Sequence, residues 1–106
     1  MKLYSTNNKA SEVSFKDAVI NSLPQDKGLY MPTSIPPLDP EFIENLHKYS
    51  LSEIAFHVAG HLLKDSIPSE DLKAIIEDAI NFPAPVVELD DNTFVLELFH
   101  GPSLAF

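Results

Sequence analysis

Residues 85–106 read PVVELDDNTFVLELFHGPSLAF, and this stretch constrains the chain more than any other. Two short runs rich in Val, Leu and Phe flank Asp90-Asp91-Asn92, the pattern of a β-hairpin. The expected strands are Val86–Leu89 and Phe94–Phe99. An even-numbered loop around Asp91 and Asn92 pairs Leu89 with Phe94. It then collects Val87, Leu89, Phe94 and Leu96 on one side, and Val86, Glu88, Val95 and Glu97 on the other. A slip of one residue would set Glu88 against Phe94 and mix the faces. Asn92 suits such a turn because Asn tolerates a left-handed backbone.

Gly101 and Pro102 break the second strand, and apolar Leu104-Ala105-Phe106 follows at once. Chain ends are usually polar and frayed. An apolar end reads as an excerpt from a longer chain, or as a tail docked on the core.

Several helices precede the hairpin. Ser14 is placed to cap a helix carrying Phe15, Ala18, Val19 and Leu23, with Asp17 in its first turn and Pro24 after it. Asp39 caps another with Pro40 at its first position and Phe42, Leu46 and Tyr49 as its apolar stripe. Ser50-Leu51-Ser52-Glu53 is a capping-box sequence. Its helix carries Leu51, Ile54, Ala55, Val58 and Leu62, widened by Phe56, Ala59 and Leu63, and is expected to be the most buried. A last helix begins at Pro68 or Ser69, buries Leu72, Ile75, Ile76, Ala79 and Ile80, and ends at Asn81 and Pro83. Residues 2–6 and 29–31 are short strand candidates, the first with Leu3 and Ser5 on one side. The Pro-rich run 33–40 reads as a rigid connector. The expected class is α+β: one domain over residues 1–106, helical at its N-terminal side with short strands, closed by the hairpin.

Composition narrows the function. The net charge is −9 and every basic residue is Lys, which opposes nucleic-acid binding. Without Arg, bidentate recognition of an anion falls to residues elsewhere. No run of about eighteen apolar residues suggests a membrane span. The start lacks a secretion signal and there is no cysteine, so a cytoplasmic location is expected.

Candidate sites follow. His57 and His61 are four apart on one helix, a spacing that can hold a metal. Val58, rather than Glu, follows His57, so the metalloprotease pattern is not met, and a solvated face with a Glu53–His57 contact accounts for them; no metal site is assigned. Asp90-Asp91-Asn92 supplies too few oxygens for calcium. His100, Gly101 and Ser103 are the candidates for lining a ligand: glycine permits close backbone approach, and Ser103 offers a hydroxyl to an anion. The glycines at 28, 60 and 101 are too scattered to form a phosphate cradle.

Four segments carry a resemblance. KLYST at 2–6, VSFKDAV at 13–19, GLYMP at 28–32 and LFHGPSLAF at 98–106 resemble the threonine synthases, fold-type II enzymes dependent on pyridoxal phosphate. In that family the last segment continues into Lys-Asp, whose Lys binds the cofactor as a Schiff base; this chain ends at Phe106. Thr is commoner in the family at Ser103, and a second glycine at Lys27. Because Lys27 would be strained at positive φ, the loop is expected to differ slightly there. The resemblance implies a parent enzyme with an α/β fold that converts O-phosphohomoserine and water to threonine and phosphate. It places Ser103, Gly101 and His100 against cofactor and substrate. The segment alone is expected to bind no cofactor, to be inactive, to meet the remainder of its own polypeptide through an apolar patch, and to self-associate without it. Two other readings are a non-catalytic acidic interaction module and a relative with an altered substrate.

Overall fold

The structure is a computed structural model, and it describes residues 1–101. Its first part is a three-stranded antiparallel sheet in the order β2-β1-β3, with β1 Lys2–Ser5, β2 Val13–Ser14 and β3 Tyr30–Pro32. Leu3 lies between Val13 and Pro32, and Ser5 pairs with Tyr30. Alternation along β1 puts Leu3 and Ser5 inward, and both are buried. Pro32 joins the last strand instead of ending it before the ladder; β3 is an edge, where a missing N–H is tolerated.

Helix α1, Phe15–Asn21, starts where expected: Ser14 Oγ accepts from Asp17 N at 3.1 Å and donates to Asp17 Oδ2 at 2.6 Å. Helix α2 is short, Pro40–Glu44, with Asp39 Oδ1 accepting from Glu41 N at 2.9 Å. The chain then tightens into a 3-10 turn at Leu46–Lys48, so Leu46 and Tyr49 do not continue one α-helical stripe. Helix α3, Leu51–Leu63, opens with the capping box complete: Ser50 Oγ accepts from Glu53 N, and Glu53 accepts from Ser50 N at 2.7 Å. The Ser50 N–H, then the Ser50 hydroxyl, which donates to Glu53 Oε2 at 2.7 Å, and the nearby His57 hold the Glu53 carboxyl below its ordinary range. Helix α4, Ser69–Ala79, packs against α3.

The expected depth of burial is not met in α3. None of its residues is buried; they are half-buried or exposed, and the deepest apolar side chain is Leu72 of α4, 3% exposed. Among the described residues the buried apolar side chains are Leu3, Ala18, Phe42 and Leu72, on four separate elements. The described chain is accordingly long, 50 × 28 × 26 Å, with a radius of gyration of 16.9 Å. About 13 Å would suit a compact chain near this length.

The hairpin forms from β4, Val86–Asp90, and β5, Thr93–Leu96. Its tip is the even two-residue loop Asp91-Asn92, closed by Asp90 opposite Thr93, and Asn92 takes φ 68°. The expected pairing of Leu89 with Phe94 does not occur. A register shift between Glu88 and Asp90 sets Glu88 opposite Phe94, Val87 opposite Val95 and Val86 opposite Leu96. A bulge leaves one residue unpaired, so alternation slips by one beyond it. Nothing among the described residues resists that slip, because every residue of both strands is exposed. The second strand also ends at Leu96, short of Phe99.

Candidate functional site

The segment 97–101 grows out of the hairpin. Glu97 N donates to Pro85 O at 2.9 Å, one rung past the end of β5. The Glu97 carboxylate then lies 2.7 Å from His100 Nε2, an ion pair when the imidazole is protonated. The Phe99 ring sits 4.6 Å from the His100 ring, centroid to centroid. His100 is therefore oriented by a carboxylate three residues earlier, while remaining exposed.

Gly101 is buried for a local reason. A Cβ built on it would lie 3.3 Å from Cζ of Phe82, tighter than ordinary contact. Phe82 follows α4, so the chain leaves that helix, makes the hairpin and returns over the same ring. The close approach expected at Gly101 is thus, among the described residues, an approach of an aromatic ring. Ser103 lies outside the described residues, as does the apolar run 104–106. His100 and Gly101 are adjacent in one loop, and Phe82, which carried no motif, is the residue that sequence reasoning missed here.

The two helical histidines go to different neighbours. His57 stacks on Phe42, with centroids 4.6 Å apart and planes 29° apart, and has Tyr49 at 5.2 Å. These rings line an open groove of about 420 Å³ with Asp39 and Lys48. His61 Nε2 lies 3.3 Å from Pro36 O, to which it donates in its Nε2–H tautomer. Among the described residues no three His, Cys, Asp or Glu side chains gather as a metal ion would require.

A second polar centre was not anticipated. The Asp26 carboxylate accepts from Ser5 Oγ at 2.6 Å, Ala10 N at 2.9 Å, Lys9 N at 3.0 Å and Gly28 N at 3.1 Å. Asn7 Nδ2 donates to the Asp26 carbonyl at 2.8 Å. The Ser5 hydroxyl and then the backbone N–H groups hold this carboxyl below its ordinary range against a desolvation that would raise it. A Cβ at Gly28 would overlap Ser5 Oγ and press on Asn7 N at 3.0 Å. Lys27 takes φ 62°, so the loop does not avoid the left-handed region as expected; the bond from Gly28 N to Asp26 Oδ1 spans this residue. The available signal was Ser5 on the inward side of β1 facing an Asp-Lys-Gly turn.

The overall fold recurs in known proteins. The profile of the threonine synthase N terminus matches residues 2–80. The chain belongs to the threonine synthase family. A threonine synthase of Haemophilus influenzae is 38% identical across the whole chain, which covers 24% of that relative. The crystal structure of PLP-bound threonine synthase from Brucella melitensis superposes with a TM-score of 0.88 at 39% identity, over 100% of this chain and 24% of that one. Threonine synthase from Escherichia coli gives 0.87 at 33% identity, over 97% and 24%. The chain thus spans about a quarter of the length of the threonine synthases it matches, and its mixed helix-and-strand fold is that of their N-terminal part. Among the described residues no helix is long and apolar enough to cross a membrane.

Proposed function

We propose that residues 1–106 form the N-terminal quarter of a cytoplasmic threonine synthase that converts O-phosphohomoserine and water to L-threonine and phosphate with pyridoxal phosphate. The observation that carries this reading is the superposition of the entire chain on a PLP-bound threonine synthase at 39% identity. The acidic-module reading has no feature of its own beyond the net charge of −9, which a segment of a larger enzyme accommodates equally well.

These residues by themselves do not fit the cofactor. Lys73, the last of seven lysines, sits on α4 beside Glu77 at 3.8 Å. Gly28, Gly60 and Gly101 stand in separate parts of the fold, so among the described residues they do not combine into a glycine-rich phosphate loop. The chemistry of the group, acting as an electron sink, belongs to residues beyond Phe106. The part played by this segment is positional. The hairpin and Phe82 fix where the loop 97–101 runs, Glu97 orients His100, and Ser103 presents its hydroxyl to substrate or cofactor as the loop enters the site.

Expression of the whole open reading frame tests the reading. Release of phosphate from O-phosphohomoserine with formation of threonine is expected, and the 106-residue chain alone should give neither. Ser103→Ala in the full-length enzyme should lower kcat/KM by about tenfold, a hydrogen bond to a charged group. A full-length product that binds pyridoxal phosphate yet leaves phosphohomoserine intact would point to a relative with another substrate.

A further inference from the structure

The chain carries −9 overall, and its seven basic residues are all Lys. A surface of that sign repels small anions unless positive groups are gathered locally. One cavity gathers them. It measures about 170 Å³ and lies between β1, residues 33–36 and the end of α3. Lys2 of β1, His61 in the last turn of α3 and Lys64 at that helix's cap line it together. Thr33 and Ser34 add hydroxyls, and Asp65 is the one carboxylate of its lining.

The walls of this cavity are tied to one another. Thr33 N and Thr33 Oγ1 both donate to Lys2 O, at 3.1 and 3.3 Å. His61 Nε2 lies 3.3 Å from Pro36 O, and Met1 N donates to Ser66 Oγ at 3.1 Å. Such ties lower the cost of ordering a site around a ligand. Among the described residues the ion pairs are Lys73–Glu77 and Glu97–His100, so Lys2, Lys64 and Asp65 stand unpaired. A helix C-terminus attracts cations, and that alone accounts for His61 and Lys64. It does not account for Lys2, which another element brings to the same cavity. Nor do the end carbonyls of α3 keep an anion out. Gly60 O accepts from Lys64 N, and Leu63 O accepts from Ser66 N and Ile67 N.

We infer that this cavity is an anion site for a phosphate group, carried as the free ion or as a small monoester. None of residues 97–101 lines it, so it is separate from the loop that leads into the motif. Lysine binds phosphate as a point charge, so the lack of Arg is no obstacle. Lys2 and Lys64 outweigh Asp65 by one charge, and a protonated His61 adds another. The Ser34 hydroxyl has no partner among the described residues and is available to a phosphate oxygen. Only the consequence rests on the reading of this chain as part of a threonine synthase: inorganic phosphate, a product of that reaction, then has a second place to bind.

The test uses the full-length protein, acetylates its lysines briefly and reads each one by peptide mass spectrometry. Inorganic phosphate and methyl phosphate are the probes, with sodium chloride at matched ionic strength as the reference. At ~10 times the Kd of phosphate, Lys2 and Lys64 should react about tenfold more slowly along one saturation curve, while Lys16 and Lys73 keep their rates. No slowing of either at ~50 mM phosphate overturns the site. Equal slowing by chloride overturns it too, since that is screening. Protection by both probes upholds a site that reads the phosphate group from either source. Protection by the free ion alone upholds one that takes inorganic phosphate only. Lys2→Met should raise the phosphate concentration that protects Lys64 by at least ~10-fold. Undiminished protection of Lys64 in that variant means that phosphate acts from the reaction centre, and overturns the site. Both lysines are exposed, so the variant keeps the fold. Turnover of phosphohomoserine is followed on the same preparation. Turnover without protection sinks the anion site alone, and protection without turnover sinks the substrate reading alone.

Discussion

The β1–β3 sheet and the β4–β5 hairpin are both small antiparallel assemblies, but their partners lie in different places. Around β1 the polar groups are met within the first thirty-three residues. Ser5, 1% exposed, bonds Asp26, and Asp26 gathers the N–H groups of Lys9, Ala10 and Gly28. In the hairpin the ladder and the Asp91-Asn92 tip are complete, yet both faces present apolar side chains to solvent. The first region carries its own reason for its geometry. The second has a local shape whose energetic justification lies outside the described residues. The exposed hairpin is one reason why few side chains among the described residues are buried in a chain that is 44% hydrophobic.

The contrast can be broken at the sheet first, where the largest effect is expected. Gly28→Ala would drive a methyl group into Ser5 Oγ and against the Asn7 backbone, and should lower stability by about 3 kcal/mol in urea unfolding. A loss below about 0.5 kcal/mol would show that the loop yields freely, and that the sheet is no more self-determined than the hairpin.

Ser5→Ala should cost about 2 kcal/mol, since it removes a buried hydroxyl bonded to a carboxylate. The same centre predicts a pH dependence. The Asp26 carboxyl is held below its ordinary range in the folded state, chiefly by Ser5, so the folded state binds a proton less readily than the unfolded one. Its contribution is fully present above the ordinary carboxylate range and is lost as pH falls through the depressed folded value. Stability measured from pH 6 downward should therefore fall below about pH 4. Asp26→Asn should flatten that part of the curve, and an unchanged acid limb would contradict the assignment.

Lys27→Gly should stabilise the chain by about 1 kcal/mol, because glycine takes φ 62° without the steric penalty of a Cβ. The smallest effect belongs to the hairpin. In the 106-residue chain Val86→Thr should change stability by less than about 0.5 kcal/mol, as at an ordinary surface site. A larger loss would mean that the face is already covered within this segment, which would erase the difference between the two regions.

Much of the fold was legible because its causes are local. Ser14, Asp39 and Ser50 cap α1, α2 and α3 as their side chains suggest, since a cap needs only the next two or three N–H groups. The hairpin and the left-handed Asn92 were visible for the same reason. His100 and Gly101 were named as candidates from the motif, while Phe82, the ring that Gly101 accommodates, and the Glu97–His100 contact were not anticipated. Phe82 lies nineteen positions before Gly101, and no periodicity reports such a pairing.

The amino-acid sequence by itself determined the caps, the turns, the strand alternation of β1 and the family to which the chain belongs. Each depends on neighbours a few residues away or on residue identity alone. Only the tertiary structure decided the slip of β4 against β5, the left-handed Lys27 and the exposure along α3. Strand register is set by which face is buried, and a backbone angle by bonds that cross a loop. How deeply a helix lies depends on surfaces that approach it from elsewhere, and none of these is written in adjacent residues.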